Sequence, residues 1–199
     1  MIIQAAKSAF PNRGRSRYNT VNACLIRWEE DELLVNLELR RLNNMFQDYG
    51  FKTNVWHIPT INSNLKLIKK ATELIEALDN NNNLFVVYYG GHGRINSERQ
   101  AEWTCKRDPM SAKVHWSAIQ TLFAEANSDV LILLDTYVAT STTTSSQHGS
   151  MEAIMAYGFE SKALIPGEYS FTNTLIDVLD DWINRRSFSA PCLHAEILS

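Results

Sequence analysis

The sequence has few of the residues that build disulfide-rich, zinc-binding or membrane proteins. Only three of its 199 residues are cysteines, and they lie far apart, at Cys24, Cys105 and Cys192. Such spacing supports neither a disulfide framework nor a zinc site. No apolar run approaches the roughly 20 residues of a membrane-spanning helix, and no secretory leader is visible. We therefore expect a reducing, intracellular compartment, the cytoplasm in the simplest case, and no association with membranes.

The chain also lacks an excess of charge and the glycine loops of nucleotide-binding proteins. Its formal net charge is −3, so no strong field attracts nucleic acid. No Gly-x-Gly-x-x-Gly or Walker pattern follows a predicted strand. With 45% hydrophobic residues, the chain suits one domain with a full-sized core. We predict a flexible N-terminal segment at 1–19 and one folded domain at 20–199.

Apolar periodicity predicts strands and helices that alternate along the chain. The run at 84–89 has no polar alternation, which indicates a strand covered by helices on both faces. The alternation predicts an α/β fold with a mainly parallel central sheet. Residues 94–112 are predicted to be an irregular surface excursion, packed onto the sheet by Trp103 and Trp116, and the Thr/Ser-rich residues 140–150 a mobile loop. Strands are predicted at 20–28, 51–58, 84–89, 130–134 and 152–159, and helices at 30–49, 62–78, 116–126, 171–186 and 192–198.

Two short segments stand directly after predicted strands. His92 lies in the turn Gly90-Gly91-His92-Gly93 after the third strand, and Asp135-Thr136-Tyr137 follows the fourth. Ligands of open parallel sheets bind outside the carboxyl ends of the strands. We therefore expect both segments to lie at one edge of the sheet and close together.

These segments and their neighbours resemble the caspase-like cysteine peptidases, the group that contains caspases, metacaspases and their fungal relatives (clan CD). The separation from His92 to Tyr137 is 137 − 92 = 45 positions, similar to the roughly 50 positions between the caspase histidine and cysteine. The resemblance is centred on 84–176, covers about 20–199, and is strongest to the caspase-like domains of filamentous fungi. The matching segments are 88–93, 116–120, 128–135, 158–160 and 167–172.

The resemblance implies a three-layer sandwich and a role for each strand-end residue. His92 corresponds to the histidine of the catalytic dyad, and the backbone N–H of Gly93 to part of the oxyanion hole. Asp135 corresponds to the acid that helps metacaspases bind a basic P1 side chain; capping of a helix or turn suits the same residue equally well. Tyr137 occupies the nucleophile position, where the family has cysteine.

A tyrosine cannot perform the thiol chemistry of this family. A thiol has a pKa near 8.5 and a phenol near 10, and the tyrosine ring would fill the space of the P1 carbonyl. Loss of the nucleophile in other hydrolases costs on the order of a million-fold in turnover. Thr136 is expected to point away from His92, and Cys105 is not expected to replace the missing nucleophile.

The leading hypothesis is therefore a pseudopeptidase, a catalytically inactive homologue that acts as a binding or regulatory module in a cell-death-type pathway. Its partner would be a protein or peptide, such as an active caspase-like homologue; the oligomeric state stays open. One alternative is an active endopeptidase that cleaves after Arg or Lys and whose nucleophile is altered in this chain. A weaker alternative is a small-molecule-binding α/β domain.

No cofactor and no metal ligand set are expected from the residues. Metacaspases often need calcium, but no acidic cluster in the sequence is assigned to it. The four remaining histidines, at 57, 115, 148 and 194, lie on separate predicted elements and are interpreted as structural. The family fold continues with a further strand, so we expect the chain to be either a fragment or a homologue shortened at its C-terminal end.

Overall fold

The computed structural model describes residues 17–33, 35–136, 144–145, 149–156, 170–185 and 187–199. Six strands form the central sheet in the order β2-β1-β3-β7-β9-β8, and every pairing is parallel except that of β8 with β9. The predicted α/β fold with a mainly parallel sheet is confirmed. These strands are β1 (Thr20–Trp28), β2 (Lys52–Ile58), β3 (Asn83–Gly90), β7 (Asp129–Asp135), β8 (Thr144–Ser145) and β9 (Ser150–Met155).

Helices cover both faces of this sheet and make it the middle layer of a sandwich. One face packs against α1 and α4, with Leu42 and Leu175 fully buried at the contact. The other face packs against α2 and α3, where Leu67 and Ile119 are buried. Both faces of the central strands are therefore apolar, as the unbroken run of β3 predicts. The helices are α1 (Asn36–Asp48), α2 (Ser63–Leu78), α3 (Trp116–Ala124), α4 (Phe171–Trp182) and α5 (Ala190–Ile197).

The first helix begins later than its sequence predicts. The helix predicted at 30–49 starts at Asn36, because the carboxylate of Asp31 accepts hydrogen bonds from the N–H groups of Leu33 (3.0 Å) and Val35 (3.3 Å). An acid that bonds the backbone just ahead of it favours a turn over a helix. The acidic residues after β1 therefore lie in the loop between β1 and α1.

Residues 94–112 are not the irregular excursion that their polarity predicts. Residues 94–95 and 101–104 of this stretch belong to a second, antiparallel sheet of three short strands, β4 (His92–Ile95), β5 (Ala101–Thr104) and β6 (Lys113–His115). The carboxylate of Glu102, on the middle strand, is buried and receives a hydrogen bond from Arg94 at 2.9 Å, with Lys113 at 3.4 Å. Because these charges are paired, the short polar strands can pack against the core. Their polar sequence gives no indication that they are buried.

An aromatic stack attaches the second sheet to the first. The rings of Tyr89 and Trp103 are parallel within 2°, with centroids 3.8 Å apart, and Trp116 stacks on the other side at 4.5 Å. All three side chains are fully buried. The prediction that Trp103 and Trp116 pack the excursion onto the sheet is confirmed.

The described residues contain neither a candidate membrane span nor a candidate metal cluster. No helix among them is both long enough and apolar enough to cross a bilayer. No group of three or more His, Cys, Asp or Glu side chains in the same residues is arranged to hold a metal ion. The expectations about location, cofactors and calcium remain predictions.

Candidate active site

The two strand ends singled out by the sequence lie side by side. Strands β3 and β7 are parallel neighbours, with Gly90 paired with Asp135, and the N–H of Gly91 reaches the carbonyl oxygen of Asp135 at 3.3 Å. His92 and Thr136 are the next residues beyond this pairing. The structure thus brings the histidine turn and the Asp-Thr segment together at the carboxyl edge of the sheet.

The backbone of His92 is fixed by the hydroxyl group of Tyr89. This hydroxyl donates to the carbonyl oxygen of His92 (2.8 Å) and accepts from Nε1 of Trp28 (3.0 Å). The Tyr89 ring cannot shift, because it is stacked on Trp103 inside the core. The position of the histidine turn is therefore held by hydrogen bonds and ring stacking among the buried side chains of Trp28, Tyr89 and Trp103.

The imidazole of His92 faces a carboxylate that sequence reasoning did not select. Its Nε2 lies 2.9 Å from Oε1 of Glu32, in the loop between β1 and α1. The ring nitrogen is not aligned for a regular hydrogen bond, so the contact is an ion pair when the ring is protonated. The backbone N–H of Arg107 also donates to Oε1 of Glu32 at 2.9 Å. The hydrogen bond from this N–H holds the pKa of Glu32 below its usual value; burial opposes it, and His92 assists with a smaller effect.

The carboxylate of Glu32 could have been found from the sheet order. Strand β1 lies next to β3, so the loop that follows β1 must emerge beside the histidine turn. That loop is held in place by the turn after β5: the thiol of Cys105 donates to the carbonyl oxygen of Glu30 at 3.3 Å, and Lys106 Nζ lies 3.4 Å from the Glu30 carboxylate. Burial raises the pKa of the Cys105 thiol, which agrees with the expectation that it is no nucleophile.

Each glycine of the histidine turn packs against a hydroxyl group. A Cβ atom on Gly90 would lie 2.5 Å from the hydroxyl of Tyr88, and one on Gly91 2.6 Å from that of Tyr89. A Cβ atom on Gly93 would overlap Oγ1 of Thr136. The glycines are thus required by close packing, whatever the catalytic history of the turn.

The side chain of Thr136 corrects a prediction. It was expected to point away from the histidine, but it is buried and packs into the histidine turn against Gly93. Its hydroxyl has no hydrogen-bond partner within the described part of the chain. An unpaired buried hydroxyl costs about 1–3 kcal/mol. The Thr136 hydroxyl lies beside Gly93, where the family resemblance expects an oxyanion hole.

The carboxyl group of Asp135 is turned toward the start of α4. Oγ1 of Thr172 donates to Oδ2 of Asp135 at 2.5 Å, and the hydroxyl of Tyr88 donates in turn to Thr172 (2.6 Å). Burial raises the pKa of Asp135 to about 6, opposed by the Thr172 hydrogen bonds and assisted by the charge of Glu38. The capping interpretation of Asp135 is therefore supported; the P1-binding role remains a prediction.

The residue at the nucleophile position, Tyr137, lies outside the described residues, as do 158–160 and 167–169 of the matching segments. The geometry at hand therefore consists of His92 with its Glu32 contact, the tight turn at Gly93, and Asp135 beside Thr136. No thiol is among these groups. The catalytic roles assigned to them from the sequence stay predictions.

Solved structures with a similar fold include a caspase. The initiator caspase Dronc of Drosophila aligns with a TM-score of 0.56 and 14% identity over 83% of this chain and 66% of the Dronc chain. Protein GSU0716 of Geobacter sulfurreducens aligns with a TM-score of 0.58 and 14% identity over 89% of this chain and 88% of its own. The chain thus spans just under two thirds of the Dronc chain. No protein-family model and no curated protein sequence matches. At such identities the likeness shows the fold alone, which is caspase-like.

Proposed function

We propose that the chain is a catalytically inactive caspase-like domain that acts as a binding or regulatory module in a cell-death-type pathway. The fold supports this proposal, since it is shared with an initiator caspase. The strand-end histidine supports it further, because His92 stands beside the end of β7 where a peptidase of this kind holds its nucleophile. The cytoplasm is the proposed location.

The positions of the three cysteines carry the inactive assignment. Cys24 lies within β1, paired with Val87 three residues before the end of β3, and faces the core. Cys105 is buried and bonded to the backbone of the β1–α1 loop, and Cys192 is exposed on α5. The sequence has no cysteine between 105 and 192, so none stands in the segment directly after β7. A thiolate beside the histidine is the group that this chemistry cannot do without.

A protein or peptide is the proposed partner, because a peptidase groove that loses its nucleophile can still bind its substrate. Asp135 would favour a basic side chain there, as its counterpart does in metacaspases. An active caspase-like homologue is the proposed protein partner. No nucleic acid is proposed, since the net charge of −3 offers no attraction to phosphate.

The experiment compares the chain with its Tyr137→Cys variant on peptide reporters that carry Arg, Lys or Asp at P1, with and without calcium. We expect the chain itself to be inactive and the variant to cleave after Arg or Lys. Removal of the histidine, in the double variant Tyr137→Cys with His92→Ala, should abolish that cleavage. Cleavage by the unaltered chain that His92→Ala removes would overturn the proposal.

A second candidate is an active endopeptidase in which Tyr137 is an engineered or variant residue. The pairing of His92 with Glu32 favours it, because a carboxylate that orients an imidazole has a use in proton transfer. Sequencing of the chromosomal locus separates the two candidates directly. A cysteine codon at position 137 would establish the active peptidase, and a tyrosine codon the pseudopeptidase.

A further inference from the structure

A cavity lies at the end of the sheet opposite to the histidine turn. Its volume is about 180 Å³, and it is bounded by the first halves of β1, β2 and β3, the last turns of α2, and one residue of α3. It is separate from the candidate active site, since its wall holds Phe85 near the start of β3 and the histidine turn follows the end of that strand.

One side chain on the wall has an unmet hydrogen-bonding requirement. Asn22 is 7% exposed, and its Nδ2 has no hydrogen-bond partner within the part of the chain that the structure describes. Native proteins pair buried amide groups almost without exception. An acceptor oxygen supplied by a ligand would satisfy this donor.

The charges around the cavity favour an anion. Lys52 is paired with Asn22 in the register of β1 and β2, so both side chains lie on the same face of the sheet as neighbours. Lys52 is exposed, and none of the described residues that line the cavity is acidic. Lys70 adds a further positive charge close to the cavity wall. Burial raises the pKa of the Cys24 thiol on that wall to about 12, and the charge of Lys70 partly opposes this rise.

Apart from Thr53 and Asn54, the remaining wall is apolar, and the cavity has a size that suits one ring or a short alkyl chain. Leu74, Leu78, Phe85 and Phe123 supply most of it. An apolar cavity of about 150 Å³ engineered in another protein binds benzene. A cavity of about 180 Å³ has room for a ring together with a small polar group.

We propose that this cavity binds a small aromatic or short aliphatic carboxylate. One carboxylate oxygen accepts from Nδ2 of Asn22, the charge is balanced by Lys52 at the mouth, and the apolar part packs between Leu78 and Phe85. The binding is independent of any peptidase chemistry, because no residue of the cavity takes part in the histidine turn. It would give the domain a means of responding to a metabolite.

The test uses the full chain, benzoate as the ligand, and benzylamine as a control of similar shape and opposite charge. Backbone amide shifts in two-dimensional NMR report the site. We expect saturable shifts at 22–24, 52–54 and 78 with benzoate, no shifts at 90–93, and no saturation with benzylamine. Shifts that benzoate and benzylamine produce equally, or no saturation with benzoate or hexanoate, would overturn the proposal.

Two substitutions of similar size test the assigned contacts. Asn22→Leu removes the amide but keeps the branched shape of the side chain, and replaces an unpaired polar group by an apolar one, so the variant should fold at least as well as the parent. It should weaken benzoate binding by about tenfold, equivalent to about 1.4 kcal/mol. Lys52→Met should weaken it several-fold, whereas Lys69→Met, on the exposed side of α2, should not. Unchanged affinity in both Asn22→Leu and Lys52→Met would refute the assigned binding mode.

Discussion

Oε1 of Glu32 lies 2.9 Å from Nε2 of His92, and the same oxygen accepts the backbone N–H of Arg107. A carboxylate that is itself held by a backbone group orients the imidazole more firmly than a free side chain would. Because Nε2 faces Glu32, Nδ1 is the ring nitrogen that this contact does not engage. The β1–α1 loop is thus part of the candidate site, although its polarity alone indicates only a solvated turn.

Glu32→Gln in the Tyr137→Cys background should lower the kcat for Arg and Lys reporters by about tenfold and leave KM unchanged. The variant keeps the Arg107 contact but loses the charge that opposes the imidazolium, a loss of about 1.4 kcal/mol in the transition state. Steady-state kinetics gives the two constants. Glu30→Gln is the matched control, since Glu30 contacts Lys106 and Thr60 but not the histidine. Equal effects of the two substitutions would contradict an orienting role for Glu32.

Tyr89→Phe should lower the free energy of unfolding by about 2–3 kcal/mol. The substitution keeps the ring stacked on Trp103 but leaves Nε1 of Trp28 and the carbonyl of His92 without partners inside the core. Urea titration measures the change. Tyr49→Phe is the control, since the Tyr49 hydroxyl donates a single hydrogen bond, to the carbonyl of Leu179, in a partly buried position; its cost should stay near 1 kcal/mol. A smaller loss in Tyr89→Phe than in Tyr49→Phe would refute the network.

The sequence predicts the central strands β1, β3 and β7 well, because each is a mainly apolar run. The first strand is predicted to the residue, at Thr20–Trp28, and the helix α2 within one residue. That the two strand ends lie at one edge of the sheet also follows, since it depends only on the strands being parallel; that β3 and β7 are neighbours depends on the sheet order. Local pattern is sufficient wherever an element contributes its own hydrophobic face to the core.

The second sheet could not be predicted, because its burial comes from residues distant in the chain. Trp103 is buried because it stacks on Tyr89 and Trp116. The buried carboxylate of Glu102 is paired with basic side chains on the strands to either side. Strands of three or four residues are too short for alternation to be read. The contact between Glu32 and His92 was missed for a related reason: it joins the ends of two strands whose neighbourhood only the sheet order reveals.

Asp135→Asn should remove the pH dependence that the Asp135 carboxyl group gives to the free energy of unfolding. The pKa of Asp135 is raised by burial to about 6, above its usual value of 3.8, so the folded state holds a proton that the unfolded state releases between pH 4 and 6. The protonated carboxyl contributes its full stability below pH 4, and this is lost as pH rises through 6. The difference between variant and parent should therefore grow by about 2 kcal/mol from pH 4 to pH 7.

Urea titrations at four pH values across this range provide the measurement for Asp135→Asn. Asp129→Asn is the control with the opposite sign: hydrogen bonds from Ser150 and Tyr18 outweigh burial and hold the pKa of Asp129 below its usual value. Its stabilising effect is present above pH 4 and disappears only in more acidic solution. A constant difference between Asp135→Asn and the parent from pH 4 to 7 would show that Asp135 has no raised pKa.

Gly93→Ala should destabilise the fold by about 1–3 kcal/mol through overlap with one hydroxyl group. Gly93 is not among the described glycines with positive φ, so alanine is acceptable to the backbone, and the added Cβ meets only Oγ1 of Thr136 closely. Thr136→Ala should relieve that overlap, giving a coupling energy of about 1–2 kcal/mol in a double-mutant cycle measured by urea unfolding. Thr136→Val, which replaces an unpaired hydroxyl by a methyl group, should by itself stabilise the protein by about 1 kcal/mol. Additive effects of Gly93→Ala and Thr136→Ala would mean that Thr136 does not pack against Gly93, and the place of Thr136 in the candidate site would have to be redrawn.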